Sequence, residues 1–225
     1  MKRTLIVAAV LAVLAAGTAP AMAEETLTEK AQETVTLEVT ITNLSKQIIS
    51  PPVVASHTWK VAIFVPGQAA SDELAALAED GGPGDLADLL AAQEEVLDVA
   101  VADGLLFPGM SATYEVEMRG KYNRISAVGM LVTTNDAFFG LSNFQIDPDL
   151  AVQRTTAPAW DAGTELNNED CDFIPGPPCG NPFMRATEGA EGFVHVHSGI
   201  HGTGDLSPGE WDWQNPVVEI TVIKR

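Results

Sequence analysis

Along residues 34–42 the chain reads Thr-Val-Thr-Leu-Glu-Val-Thr-Ile-Thr, so Val35, Leu37, Val39 and Ile41 alternate with polar neighbours. A period of two sends successive side chains to opposite faces, which predicts a strand with one buried and one wet face. Residues 112–118 alternate in the same way, with Tyr114, Val116 and Met118 on one side, after a Pro108-Gly109 turn signal. The end of the chain repeats the pattern over 217–223 through Val218, Ile220 and Val222. Residues 124–132 are almost continuously apolar, as expected of a strand covered on both faces. Further β-rich runs are predicted over 59–65, closed by Pro66-Gly67, and over 192–197.

Between residues 69 and 103 the period changes. Ser71 is placed to cap a helix whose Leu74, Leu77 and Ala78 share one face, and the Gly81-Gly-Pro-Gly84 run stops it. Asp85 then opens a second helical stretch through Leu86, Leu89 and Leu90 toward Val96. Long loops are expected around 135–139 and 158–183, and Trp160, Trp211 and Trp213 in loops or at strand edges read as packing anchors. Short alternating strands with Pro/Gly turns predict an all-β antiparallel sandwich with a helical insert near 70–100, and a barrel stays open as the alternative.

The first residues do not belong to this pattern. Lys2 and Arg3, the apolar run 5–16 and the small-x-small Ala21-Met-Ala23 predict a signal peptide over 1–23 and a folded domain over 24–225. The apolar run is short of the roughly 20 residues that a membrane span needs, and no later segment is long and apolar enough. The expected localisation is secreted or periplasmic.

Charge narrows the function classes. The 225 residues carry 31 Asp+Glu against 12 Lys+Arg, a formal net charge of −19. A nucleic-acid binder needs a basic stripe to displace counterions from phosphates, so that class is excluded. Twelve of the acids fall between Val61 and Met118, a stretch without Lys or Arg, and read as a solvated acidic face. Cys171 and Cys179 are the only cysteines, and the Pro/Gly-rich insert between them reverses the chain. Export permits a disulfide there, worth about 2–3 kcal/mol in the chain-entropy model.

Two constellations carry candidate chemistry. Asp136 directly follows a predicted strand, and Asp161 and Glu165 stand four apart across Gly163 in Trp160-Asp-Ala-Gly-Thr-Glu165. Three carboxylates from two loops, with backbone carbonyls, suit an oxygen-preferring cation such as Ca²⁺, although surface carboxylates without a ligand fit the same residues. The second constellation is His195-Val-His197-Ser-Gly-Ile-His201, with His57 as a conceivable fourth member. On a strand His195 and His197 share a face, and three imidazoles suit Zn²⁺ or Cu²⁺. The chain lacks Gly-x-Ser-x-Gly, a phosphate loop and a dinucleotide fingerprint.

Three segments together resemble the spondin N-terminal domain family. They are Ala70-Ser-Asp-Glu-Leu-Ala-Ala-Leu-Ala-Glu-Asp-Gly81, the strand and loop Ser126-Ala-Val-Gly-Met-Leu-Val-Thr-Thr-Asn-Asp-Ala-Phe-Phe-Gly-Leu141, and the more specific Trp160-Asp-Ala-Gly-Thr-Glu165. The resemblance implies an antiparallel sandwich of about eight strands, similar to calcium-dependent membrane-binding domains. It implies Ca²⁺ as cofactor on Asp136, Asp161 and Glu165, with Glu165 standing where the matrix members have Asp. The stretch Val194-His-Val-His-Ser-Gly-Ile-His-Gly202 and the ending Trp211-Asp-Trp-Gln-Asn-Pro216 resemble stand-alone, bacterial-type spondin-domain chains. The expected function is an exported calcium-binding interaction or adhesion module without catalytic activity, meeting a protein or glycan partner at the cell surface. The alternative is a metal-dependent enzyme or transition-metal binder using His195, His197 and His201.

Overall fold

The first alternating run becomes strand β1 (Val35–Asn43), with Leu37, Val39 and Ile41 fully buried. It lies between β4 (Ser111–Met118) and β10 (Val218–Lys224), and β7 (Val152–Ala157) pairs with the far side of β10. All pairings in this four-stranded sheet are antiparallel, in the order β4-β1-β10-β7. The chain is described from a computed structural model over residues 33–101 and 103–225, which belong to a compact unit spanning Gln32–Arg225. The predicted signal peptide, 1–23, lies outside the described residues.

The second sheet has six antiparallel strands. In order across the sheet they are β3 (Val96–Val101), β2 (Val53–His57), β5 (Arg124–Met130), β6 (Ala137–Gln145), β8 (Ala159–Asp161) and β9 (His195–Val196). The inward residues of both sheets form one core: Leu37, Val39, Tyr114, Val116, Ile220 and Val222 from the first meet Val54, Ile125, Ala127, Phe139 and Leu141 from the second. The architecture is an all-β antiparallel sandwich, with ten strands where about eight were expected because β8 and β9 are only three and two residues long.

The outer face of the six-stranded sheet is covered too, which explains the continuous apolar run of β5. Helices α1 (Asp72–Asp80) and α2 (Gly84–Ala91) lay Leu74, Leu77, Leu86 and Leu90 over Val53, Ala55, Val128 and Phe138. Burying each such side chain contributes roughly 1.5–3 kcal/mol. Ser71 accepts from the Leu74 N–H at 3.2 Å as the N-cap of α1, and Gly81 at φ 72° closes it with its N–H on Leu77 O. The second helix begins at Gly84 after Pro83, without a side-chain cap, and stops well before Val96, which opens β3.

Two strand expectations are corrected. Residues 59–65 are turn and loop, and the strand precedes them at β2, where five consecutive buried residues show no alternation. Val61, Ile63 and Phe64 are instead packed under the helices. The loop expected at 135–139 is cut short by β6, whose adjacent Phe138 and Phe139 belong to the outer and inner clusters respectively. Both strands are sandwiched between layers, so burial on each face erased the period of two.

Bridges from Ile49 to Leu106 and Leu131 gather the segments 44–50, 103–110 and 131–136 at one end of the sandwich. The candidate carboxylates are at this end.

Candidate metal centre

Strand register brings the carboxylates together. Asp161 ends β8, where it pairs with Ala137 of β6 on one side and His195 of β9 on the other. Asp136 immediately precedes Ala137, in a turn where the Thr134 hydroxyl donates to Leu131 O at 2.6 Å and accepts from the Ala137 N–H at 3.0 Å. After Asp161 the chain turns through Gly163 at φ 70°, and a Cβ there would stand 2.3 Å from Phe193 O. Glycine is therefore required twice, by conformation and by the close approach of the next segment. The turn aims the Thr164 and Glu165 N–H groups at Asp136 Oδ2, at 2.8 and 3.0 Å.

Asp136, Asp161 and Glu165 are all fully buried. Asp161 Oδ1 accepts from the Gly163 N–H at 2.7 Å, and its Oδ2 accepts from the Asn167 side-chain amide. Glu165 Oε1 accepts from the Ala186 N–H at 2.6 Å. Asp136 Oδ1 and Glu165 Oε2 are buried without any hydrogen-bond partner. Burial raises the Asp136 carboxyl well above the usual carboxylate range, and the Asp161 charge beside it adds to the rise. Asp161 is likewise raised, chiefly by burial, and Glu165 is pushed up to about 7 by burial against the pull of the Ala186 N–H. A carboxylate with an unpartnered buried oxygen is costly unless a cation meets it.

The histidines divide. His195 and His197 do turn to one side, with Nε2 atoms 3.8 and 3.9 Å from Asp161 Oδ2. These separations are too long for hydrogen bonds. The His197 ring is otherwise engaged: Nδ1 accepts from the Gly199 N–H at 3.0 Å and Nε2 donates to Asn167 Oδ1 at 2.9 Å. Buried against Trp213, it has its pKa pushed down to about 3, which keeps it neutral. The His201 ring is exposed and bonded to Ser198 Oγ at 3.0 Å. His57 is not part of the group. It pairs with Arg124, the full length of β5 from the site, and its ring is held by Thr58 O and Ser126 Oγ. Among the described residues, no group of three or more His, Cys, Asp or Glu stands ready to hold one metal ion.

Sequence reading missed three residues that build this end. Glu169, buried at φ 56°, receives the N–H groups of His201, Gly202 and Thr203 at 2.6, 2.7 and 2.9 Å. Asn167 links Asp161 to His197. Arg185 binds Glu79 and Asp80 at the end of α1, which removes those two acids from the expected solvated face. The only signals in sequence were an acid within Asn167-Asn-Glu-Asp170, an amide beside it and an arginine, without spacing to set them apart. Trp160 is a packing anchor as expected, its indole donating to Gly140 O at 3.0 Å with its ring 5.1 Å from that of Phe64. Cys171 and Cys179 form a disulfide, Cα to Cα 4.8 Å, beside a small cluster of Ile174, Ile200 and Leu206.

Known proteins bear on the same segments. None of the curated proteins compared with the chain matches it. The Spondin_N family model matches residues 42–168, a span that contains α1, the strand and loop bearing Asp136, and the whole turn from Trp160 to Glu165. It stops short of His195, His197 and His201. With more than half of its length matched and all three signature segments inside the match, the chain belongs to the spondin N-terminal domain family.

Proposed function

We propose that this chain is an exported calcium-binding interaction module without catalytic activity, with Ca²⁺ held by Asp136, Asp161 and Glu165. One observation carries the reading: Asp136 Oδ1 and Glu165 Oε2 are buried without partners in a site where burial already disfavours negative charge. A divalent cation drawing these carboxylates together from where they stand would give the two oxygens a partner and neutralise the Asp136–Asp161 repulsion. Ca²⁺ fits the donor set because it takes oxygen ligands in tolerant geometry and accepts backbone carbonyls in the remaining positions. Bound there, it supplies charge neutralisation and a cross-link between the 131–136 loop and the turn after β8. The disulfide accords with an oxidising compartment, secreted or periplasmic. Among the described residues no helix is long and apolar enough to cross a membrane.

The protein's own residues prepare the site. The Thr164 and Glu165 N–H groups orient Asp136 through its other oxygen, Asn167 orients Asp161, and Ala186 orients Glu165. The transition-metal alternative draws less support, since both His197 ring nitrogens are committed and the His201 ring turns to Ser198.

The test is calorimetric titration of chelator-treated protein with Ca²⁺, paired with melts in Ca²⁺ and in EDTA. Heat of binding and a higher melting temperature in Ca²⁺ are expected. Asp161→Asn, which keeps shape and removes charge, should weaken Ca²⁺ binding roughly ten-fold or more. No heat and identical melts would overturn the reading. Stoichiometric zinc or copper in protein purified without added metal, lost in His197→Ala, would favour the alternative.

A further inference from the structure

The two sheets come together at their edges along β3 and β4, the terminal strands of each sheet. One side chain seals part of this seam. The Asp98 carboxylate accepts from its neighbour Val99 N–H on β3 and from the Glu117 N–H on β4, both at 2.9 Å. A charged residue turned onto an edge is a familiar way to prevent further strand addition. Since Glu117 turns its N–H to the free edge, the period of two turns those of Ser111, Thr113 and Glu115 there as well. Among the described residues, no backbone or side-chain acceptor meets these three amides.

Beside that open stretch is a groove of about 570 Å³, formed by the ends of β3 and β4 and by residues of the 103–110 segment. Val101, Leu105, Phe107 and Met110 line it and are 39 to 58 % exposed. Tyr114 lines it too, with a buried hydroxyl that has no hydrogen-bond partner. Asp103 and Glu115 add negative charge to the lining, and the chain has no Lys or Arg between 61 and 118 to offset it. Arg225, paired with Glu38 directly opposite Glu115, also feels the Glu115 charge, which leaves Asp103 as the acid of the lining without such a base beside it among the described residues.

We infer that the open edge of β4 is a docking site for an extended, cationic segment of a partner protein, which adds as a strand beside Ser111–Glu115 and places apolar side chains among Val101, Leu105, Phe107 and Met110. The backbone amides supply pairing, the apolar lining receives alternate side chains, and Asp103 and Glu115 select Lys or Arg at the positions between them. Five residues of edge span about 17 Å, enough for a short peptide strand. The same charge opposes the other occupants. Two copies meeting through this edge would set acid against acid, and a chain of net charge −19 is repelled by anionic bilayers. This deepens the proposed reading by locating a partner surface; it rests on the interaction half of that reading and not on calcium.

The probe is an acetylated, amidated (Lys-Val)₃ hexapeptide, with (Glu-Val)₃ and a Lys-Val peptide carrying a central proline as controls. Titration is followed by calorimetry, and by hydrogen exchange at Thr113 and Glu115, in Ca²⁺ and in EDTA. The Lys-Val peptide should bind and protect both amides, and each control should bind roughly ten-fold more weakly. Thr113→Pro removes an outward N–H that takes no part in the ladder with β1, so the fold should persist while binding falls roughly ten-fold. Glu115→Lys should weaken the Lys-Val peptide and strengthen the Glu-Val one. If Thr113→Pro fails to fold, Glu115→Lys and the exchange pattern decide.

Equal binding of the proline-containing peptide, or unprotected amides at Thr113 and Glu115, would mean mere adhesion to an acidic surface and overturn the inference. So would a wild-type dimer in sedimentation that Thr113→Pro dissolves, or binding to neutral phosphatidylcholine vesicles in place of peptide. Peptide binding without Ca²⁺ heat would sink the calcium reading alone, and Ca²⁺ heat without peptide binding would sink this inference alone.

Discussion

Gly163 shows how much a single position decides in this chain. Its φ of 70° favours glycine, and Phe193 O occupies the space that a Cβ would need. Gly163→Ala should cost about 1–3 kcal/mol in urea unfolding and weaken Ca²⁺ binding, because Thr164 and Glu165 would lose their aim at Asp136. His57 is a second decisive residue, far from the site. In the neutral ring its Nδ1–H donates to Thr58 O at 2.7 Å and its Nε2 accepts from Ser126 Oγ at 2.8 Å, so both nitrogens are satisfied without a charge. Burial lowers its pKa, and the nearby Arg124 charge lowers it further against the Thr58 bond. The unfolded chain then binds more protons than the folded one below the ordinary histidine value near 6.5. The stability tied to this ring is full above that pH and is lost as the pH falls. The raised carboxyls of Asp136 and Glu165 act with the opposite sign over the same range, so the His57 share is read as a difference: the stability gap between wild type and His57→Gln should narrow as melts go from pH 7.5 to 5.5.

At the level of elements, the helical insert is held from both sides. Its apolar face covers the outer surface of β5 and β6, and its acidic C-terminal end is held by Arg185. Acids at a helix C-terminus oppose the macrodipole, so a cation reaching Glu79 and Asp80 offsets an unfavourable end. The same contact fixes the 181–186 segment, where Phe183 N–H donates to Asp80 Oδ1 at 2.8 Å. Arg185→Ala should destabilise by about 2 kcal/mol, between the values for exposed and buried ion pairs, since Arg185 keeps 27 % of its side chain exposed. Proteolysis near Phe183 should quicken in parallel. In sequence, α1 was legible through Ser71, the leucine spacing and Gly81, because helix caps and faces are local. Strands β2 and β6 were not, because burial on two faces removes the alternation that marks a strand.

For the whole molecule, the sandwich end is a set of loops tied together by polar groups and not by a continuous apolar core. Asp136 and Glu169 each join segments distant in sequence, and the disulfide closes a short local loop. Replacing both Cys171 and Cys179 with serine should lower stability by about 2–3 kcal/mol, read as a lower melting temperature that Ca²⁺ only partly restores. The net charge of −19 is unevenly placed, with part of it neutralised at Arg185 and part left beside the open edge of β4. That asymmetry accords with the basic partner proposed for this edge.

What the sequence alone determined was the alternating strands of the first sheet, the first helix, the disulfide pair and the family resemblance, and it singled out the three carboxylates proposed for Ca²⁺. Each is set by local periodicity, by a cap, or by residue types gathered in one short motif. Only the tertiary structure decided that Asp136 and Asp161 are neighbours across β6 and β8, that His197 is satisfied by Asn167 and Gly199, and that Glu169 gathers the loop after His201. Those outcomes depend on strand register and on which buried polar atoms find partners. Both are settled between segments tens of residues apart, where a linear pattern holds no record of distance.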